Sequence, residues 1–157
     1  MNMIAQTFLD ESRRYLKQVY LDDIERAIAP LSDEQIWWRP NEASNSIGNL
    51  ILHLSGNVRQ WIVGGVGLQP NSRNRQLEFD QRSLIPKEEI LSRLRTIIDE
   101  ADAVIGAVSE STLEEAREIQ DRNTTVLKAI YHVVEHFATH TGQIQWISKS
   151  LASNFRK

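Results

Sequence analysis

Apolar residues recur at three- and four-residue spacing on four separate segments, and no stretch of useful length alternates with the period of a strand. That restricts the chain to helices. The first segment, Ile4 to Ile28, carries Phe8, Leu9, Leu16, Val19, Tyr20, Ile24 and Ile28 on one stripe. Pro30 ends it, and Ser32 with Gln35 forms a capping-box pattern for a short turn before Trp37-Trp38-Arg39-Pro40. Asn45 or Ser46 caps the second helix, whose stripe is Ile47, Leu50, Ile51, Leu54, Val58, Trp61 and Ile62, with Gly64, Gly65 and Gly67 to stop it. Leu68 to Ile85 follows as a long polar segment that only Leu77 and Phe79 can anchor. Pro86 opens the third helix, with Glu88 and Glu89 near its positive end and a core face from Ile90 to Val108. Ser109 to Asn123 reads as irregular, with a short turn at Leu113 to Ala116, and Thr124 or Thr125 caps a last helix that runs to the neighbourhood of Lys149. The expected fold class is all-α: a four-helix bundle with long connections between helices 1-2, 2-3 and 3-4.

A chain of 157 residues supports one domain over 1–157 with a sizeable core and is too short for two. A formal charge of -3 provides no general field for nucleic acid or anionic lipid, so neither is expected as a partner. There is no cysteine, which excludes disulfides, a thiolate zinc cluster and a cysteine nucleophile. Any thiol chemistry must use a thiol from outside. Met1-Asn2-Met3-Ile4 runs straight into amphipathic sequence, and no apolar run approaches the roughly 18 residues of a membrane span, so the cytoplasm is the expected compartment.

Three of the four histidines, His132, His136 and His140, stand four apart on the last helix. Residues at that spacing share a helix face, so two neutral imidazoles can converge on one divalent ion if another element supplies a third. With about 100° per residue, His140 falls about 30° from the centre of the core arc, His136 about 70° and His132 about 110°. His136 and His140 are therefore the better pair. His53 is the candidate third ligand, although it lies about 60° outside the edge of the apolar stripe of its helix. Ser46, Asn57 and Gln60 share that meridian, which fits a solvated edge or the lip of a polar pocket. Two other readings compete: histidines that are satisfied structural residues, and a match of His132-Val133-Val134-Glu135-His136 to the inverted zinc-protease pattern. Glu135 points nearly opposite the core arc, beside Lys128 and Thr139, and reads as a solvated charge.

Ser46-Ile47-Gly48-Asn49-Leu50-Ile51-Leu52-His53 on one helix, with His136, His140, Gly142 and Gln143 on the last, resembles the DinB/YfiT-like superfamily. The Trp37-Trp38-Arg39-Pro40 connection is similar too, and the resemblance covers nearly the whole chain. It implies a DinB-like four-helix bundle with His53, His136 and His140 as metal ligands, which would turn the boundary position of His53 into a pocket-lining one. Characterised relatives include thiol-dependent transferases and isomerases.

Three neutral imidazoles leave a divalent ion, zinc or nickel, with its full double charge and an open position, able to activate water or deprotonate a thiol. The expected function is a metal-dependent transferase in which the ion activates an external low-molecular-weight thiol for attack on a small electrophilic substrate. The alternatives are a hydrolase using metal-bound water, and a non-catalytic bundle with a structural metal or none. The lack of an acid/base carboxylate near the histidines favours the thiol. Gln143 is expected to bond a metal-bound water or the ring of His136, and His132 to stand behind the ligands. Trp37, Trp38 and Trp61 are expected in core or rim packing, and Arg73, Arg75 and Arg82 in a solvated loop or against an anionic ligand. Apolar surface at Phe8, Tyr15 or Trp146 outside the core points to a homodimer.

Overall fold

In the computed structural model, which describes residues 2–154, four long helices surround one cluster of buried side chains. The first long helix is Met3–Arg14, Tyr15–Tyr20 and Leu21–Ile28 run together, and the second is Ile47–Val58 continued by Arg59–Val66. In each, one stretch, Tyr15–Tyr20 or Arg59–Val66, is wound as a π-helix, a local widening that periodicity does not disclose. The third long helix is Lys87–Gly106 and the fourth Val126–Asn154. The stripes seen in the sequence are the faces that meet: Ile24, Ile51, Leu54, Ile62, Leu94, Ile98, Ile130 and Phe137 are all at or near zero exposure. The all-α class holds, and no helix among the described residues is long and apolar enough to cross a membrane.

Caps form where the sequence places them. Ser32 and Gln35 make a capping box on the short helix Asp33–Ile36. Ser46, with Asn49 rather than an acid at the third position, makes another at the start of the second long helix. Thr125 Oγ1 accepts from Lys128 N at the start of the fourth. Gly48 is required by its neighbour: a β-carbon there would stand 2.8 Å from the Trp37 ring, whose Nε1 donates to Ile85 O at 2.9 Å. Trp37 thereby packs between the second helix and the end of the 67–86 connection.

The first and second long helices each pack chiefly against the third and fourth. The connections 1-2 and 3-4 therefore span the bundle, which accounts for their length. The second and third helices are neighbours, yet their connection is long as well, and it is built rather than irregular. It contains a helix, Arg75–Asp80, whose Leu77 is 64% exposed and anchors nothing, contrary to expectation. Asn49 Nδ2 instead holds this helix by donating to Glu78 O at 2.8 Å and Gln81 O at 3.1 Å.

The 3-4 connection departs from the expected irregular path too. Ala116–Ile119 (β1) and Arg122–Thr125 (β2) form an antiparallel hairpin in register Ala116↔Thr125 and Ile119↔Arg122. Gln120 and Asp121 turn it at φ of 54° and 58°, the left-handed pair that a two-residue hairpin turn needs. Ile119 is buried against Gly65, where a β-carbon would stand 2.2 Å from Ile119 Cδ1. Of the side chains expected outside the core, Phe8 packs against it, while Tyr15 is 36% exposed and Trp146 68%.

Candidate metal centre

His53, on the second long helix, faces His136 and His140 on the fourth. One ring nitrogen from each lies within 4.8 Å of the other two, and such a group could hold a metal ion. His53 Nε2 and His136 Nε2 are 2.9 Å apart. The rings meet edge to face, with centroids 4.9 Å apart for His53–His136, 5.1 Å for His53–His140 and 4.4 Å for His136–His140. Four nitrogens at about 2.0–2.1 Å around a tetrahedral ion would stand about 3.3 Å from one another. The His53–His136 pair at 2.9 Å stands a little inside that value and all three nitrogens lie within 4.8 Å, so the three rings are near enough to share such an ion.

Two of the three lone pairs are aimed by hydrogen bonds on the far side of the ring. Glu78 Oε2 stands 2.9 Å from His53 Nδ1 and only accepts, so this bond takes the Nδ1–H tautomer, with Nε2 bare; Arg73 Nη2, which only donates, stands 3.1 Å from the same nitrogen and competes with it. His140 Nδ1 likewise donates to Gln143 Oε1 at 2.7 Å. Gln143 thus orients His140, not His136 as the sequence suggested. Glu78 is held in turn by a fork from Arg73, with Nε 2.6 Å from Oε1 and Nη2 2.7 Å from Oε2. Arg73 Nη2 also donates to His53 O at 3.3 Å and Nη1 to Gln60 Oε1 at 2.9 Å. Gly56 leaves the room for this pair, since a β-carbon there would stand 1.9 Å from Glu78 Oε1.

Electrostatics disfavours the protonated forms of His136 and His140. Burial, then the charge of His140 and the other neighbouring imidazoles, pulls His136 from 6.5 down to about 3. Burial lowers His140 too, against the opposing bond to Gln143, and lowers His132. Burial pushes the Glu78 carboxyl up, but the bonds from Arg73 and His53 outweigh it and hold the group below the ordinary carboxylate range. Lowered values at His136 and His140, beside an ionised, paired Glu78, suit a divalent cation.

Several expectations are corrected here. A carboxylate does stand near the histidines: Glu78, from the polar connection in which the sequence shows no periodic signal. Arg73 is neither solvated nor free for an anion, with its side chain 4% exposed in the pair with Glu78. Arg75 lies 4.9 Å from the Phe79 ring centre, and Arg82 donates to its own segment at Gln81 O. Phe79 lies 4.8 Å from the His53 ring, centre to centre. His53 is 4% exposed, Ser46 and Asn57 on its meridian are buried and Gln60 is half-buried, so this face is not a solvated edge. His132 stands outside the group, stacked on His136 at 5.4 Å and packed on Trp61 at 4.2 Å, with Asn57 Nδ2 3.4 Å from its Nε2. The group that could share an ion contains His140 and not His132, which does not match the inverted-protease arrangement, and Glu135 is exposed.

Residues 3–157 match a family described as "Protein of unknown function (DUF1572)". The chain belongs to this family. It is a DinB-like family, and a three-histidine cluster in this DUF1572 chain is compatible with metal binding. No curated protein matches the chain.

Proposed function

We propose that the protein is a metal-dependent transferase in which His53, His136 and His140 would hold one divalent ion, zinc or nickel, and the sulfur of an external low-molecular-weight thiol bonds to an electrophilic carbon, its proton passing to solvent and the leaving group departing with the electron pair of the broken bond. The observation that carries this reading is the convergence of three imidazole nitrogens within 4.8 Å, two of them with the opposite ring nitrogen committed to Glu78 and Gln143. These three neutral ligands would leave a bound divalent ion its double charge and an open position, where it would lower the pKa of a thiol.

The chain's own residues do the rest. Arg73 holds Glu78, Glu78 bonds His53, and the packing of the second and fourth long helices brings the buried His53 to the half-buried His136 and His140. With no cysteine, the chain has no sulfur nucleophile of its own. Glu78 stands near the site, yet both its oxygens are taken by Arg73 and His53, so it is not free to accept a proton from water. A free carboxylate base would assist hydrolysis, whereas a thiol of ordinary pKa near 8.5 needs only a modest shift to ionise at neutral pH. That asymmetry supports the thiol over water. The test is protein purified without affinity-tag metal, loaded with zinc or nickel and given thiol and electrophile together. Thiol-dependent loss of the electrophile, abolished by chelation and restored by metal, is expected. Turnover without thiol would replace the transferase by a hydrolase, and no turnover by a loaded protein would leave the ion a structural role.

A further inference from the structure

Beside the histidine group, a groove of about 650 Å³ runs between the connection around Trp38 and the outer face of the fourth long helix. Trp38 and Trp146 stand along it, 36% and 68% exposed, and buried Leu50 and Ile147 contribute apolar lining. Although a quarter of the chain is charged, at 25%, no residue lining this groove carries a charge. Its volume lies within the range of small-molecule sites, roughly 300–1,000 Å³. Gln143 belongs to both the groove and the histidine group: it lines the one, and its Oε1 accepts from His140 in the other. Its amide nitrogen is left without a protein hydrogen bond among the described residues, and so has donors to offer. Gly142 also lines the groove, and a β-carbon there would meet nothing within 4 Å.

We propose that this groove seats a small, uncharged, flat apolar molecule, an aromatic ring with one polar acceptor, held between the two indoles with the acceptor on the Gln143 amide. An anion would find no cation among the lining residues, and a cation no carboxylate, so charge is selected against by desolvation on either side. Indole faces give broad, rigid contact at small entropic cost, and the single amide fixes orientation. The seat rests on the transferase reading only for its role, as the place of the electrophile; occupancy itself does not require metal. A second copy of the chain is the competing occupant, since Trp146 is its most exposed tryptophan. The groove's concavity and the open space at Gly142 would leave a void beneath a helix laid across it, which favours the small molecule.

The experiment titrates the full chain with nitrobenzene and, separately, with its charged isostere benzoate, following the tryptophan indole N–H resonances. Metal content and molar mass are measured on the same samples. The neutral probe is expected to shift Trp38 and Trp146 and to bind at least about tenfold more tightly than the carboxylate. Gly142→Leu should weaken it by about tenfold or more, while Gly142→Ala stays within about threefold and both keep the wild-type metal content. Trp38→Ala provides the same readout if the leucine variant does not fold. Equal binding by wild type and Gly142→Leu, equal binding of the carboxylate, no shift up to about 5 mM probe, or a dimer that Trp146→Ala dissociates would each overturn the proposal. Probe binding as expected in a chain that never takes up metal would remove the transferase reading and leave the groove assignment standing.

Discussion

Glu78 is the side chain through which the connection between the second and third helices reaches the histidines. It shares buried surroundings with Arg73, so removing its charge leaves a guanidinium without a counter-ion in a poorly solvated place. Glu78→Gln is expected to lower stability by on the order of 3 kcal/mol in denaturant melts and to weaken metal affinity about 10- to 100-fold, because His53 loses its carboxylate partner. Unchanged affinity in that variant would show that Glu78 plays no part in the site. A second expectation concerns protons. In the folded metal-free protein His136 stays neutral down to about pH 3, while its unfolded value is 6.5. Between those values the unfolded chain binds the extra proton, so stability is complete above about pH 6.5 and falls as pH drops toward 3. The lowered values of His132 and His140 act in the same direction, and that of Glu78 adds a loss only at the acid end. Urea midpoints of metal-free protein should fall between pH 7 and 4.5, with a flatter profile for His136→Asn; a wild-type profile flat over that range contradicts the buried, neutral ring. The histidines themselves are legible in the sequence because the spacing of four on one face is a pattern. Glu78 and Arg73 are not, because they lie five apart in a segment with no period, and only the fold brings them over Gly56.

At the scale of elements, what periodicity and caps encode was readable, and what backbone irregularity encodes was not. The stripes, the Ser46 and Ser32 boxes and the Thr125 cap follow from side-chain chemistry at fixed offsets. The π-helical stretches leave no such mark. Neither does the hairpin, whose turn uses Gln120 and Asp121 rather than the Asn-Gly or Asp-Gly pairs that announce one. The end of the second long helix has a comparable irregularity: Leu68 takes a φ of 56° just beyond Gly67, while Gln69 N donates back to Val63 O at 3.2 Å. A branched side chain in that region is strained, and Leu68 is 72% exposed, so little packing offsets the cost. Leu68→Gly is therefore expected to raise stability by about 0.5–1 kcal/mol, read as a higher urea midpoint at constant slope. Gly48→Ala should do the opposite, because the new methyl meets the Trp37 ring; a neutral result there would mean that the ring shifts freely.

For the whole molecule, the packing order explains why a small bundle carries three long connections. Two of them must cross between helices that are not chief neighbours, and the third bends back over the histidine group with Glu78 and Phe79. Metal binding should therefore couple to global stability. At a free ion concentration of about 100 Kd the folded state gains about 2.7 kcal/mol, which for a chain of this size corresponds to a rise of roughly 5–10 °C in melting temperature. Chelation should reverse it. The account rests on His53, His136 and His140 acting as one ion site, and elemental analysis tests that most directly. Protein purified without affinity-tag metal and equilibrated with zinc or nickel should carry one ion per chain. His53→Ala, His136→Ala and His140→Ala should carry none after desalting, and His132→Ala should retain its ion with affinity weakened by no more than about 10- to 100-fold. Full metal content in all four variants, or none in the wild type, would contradict the account.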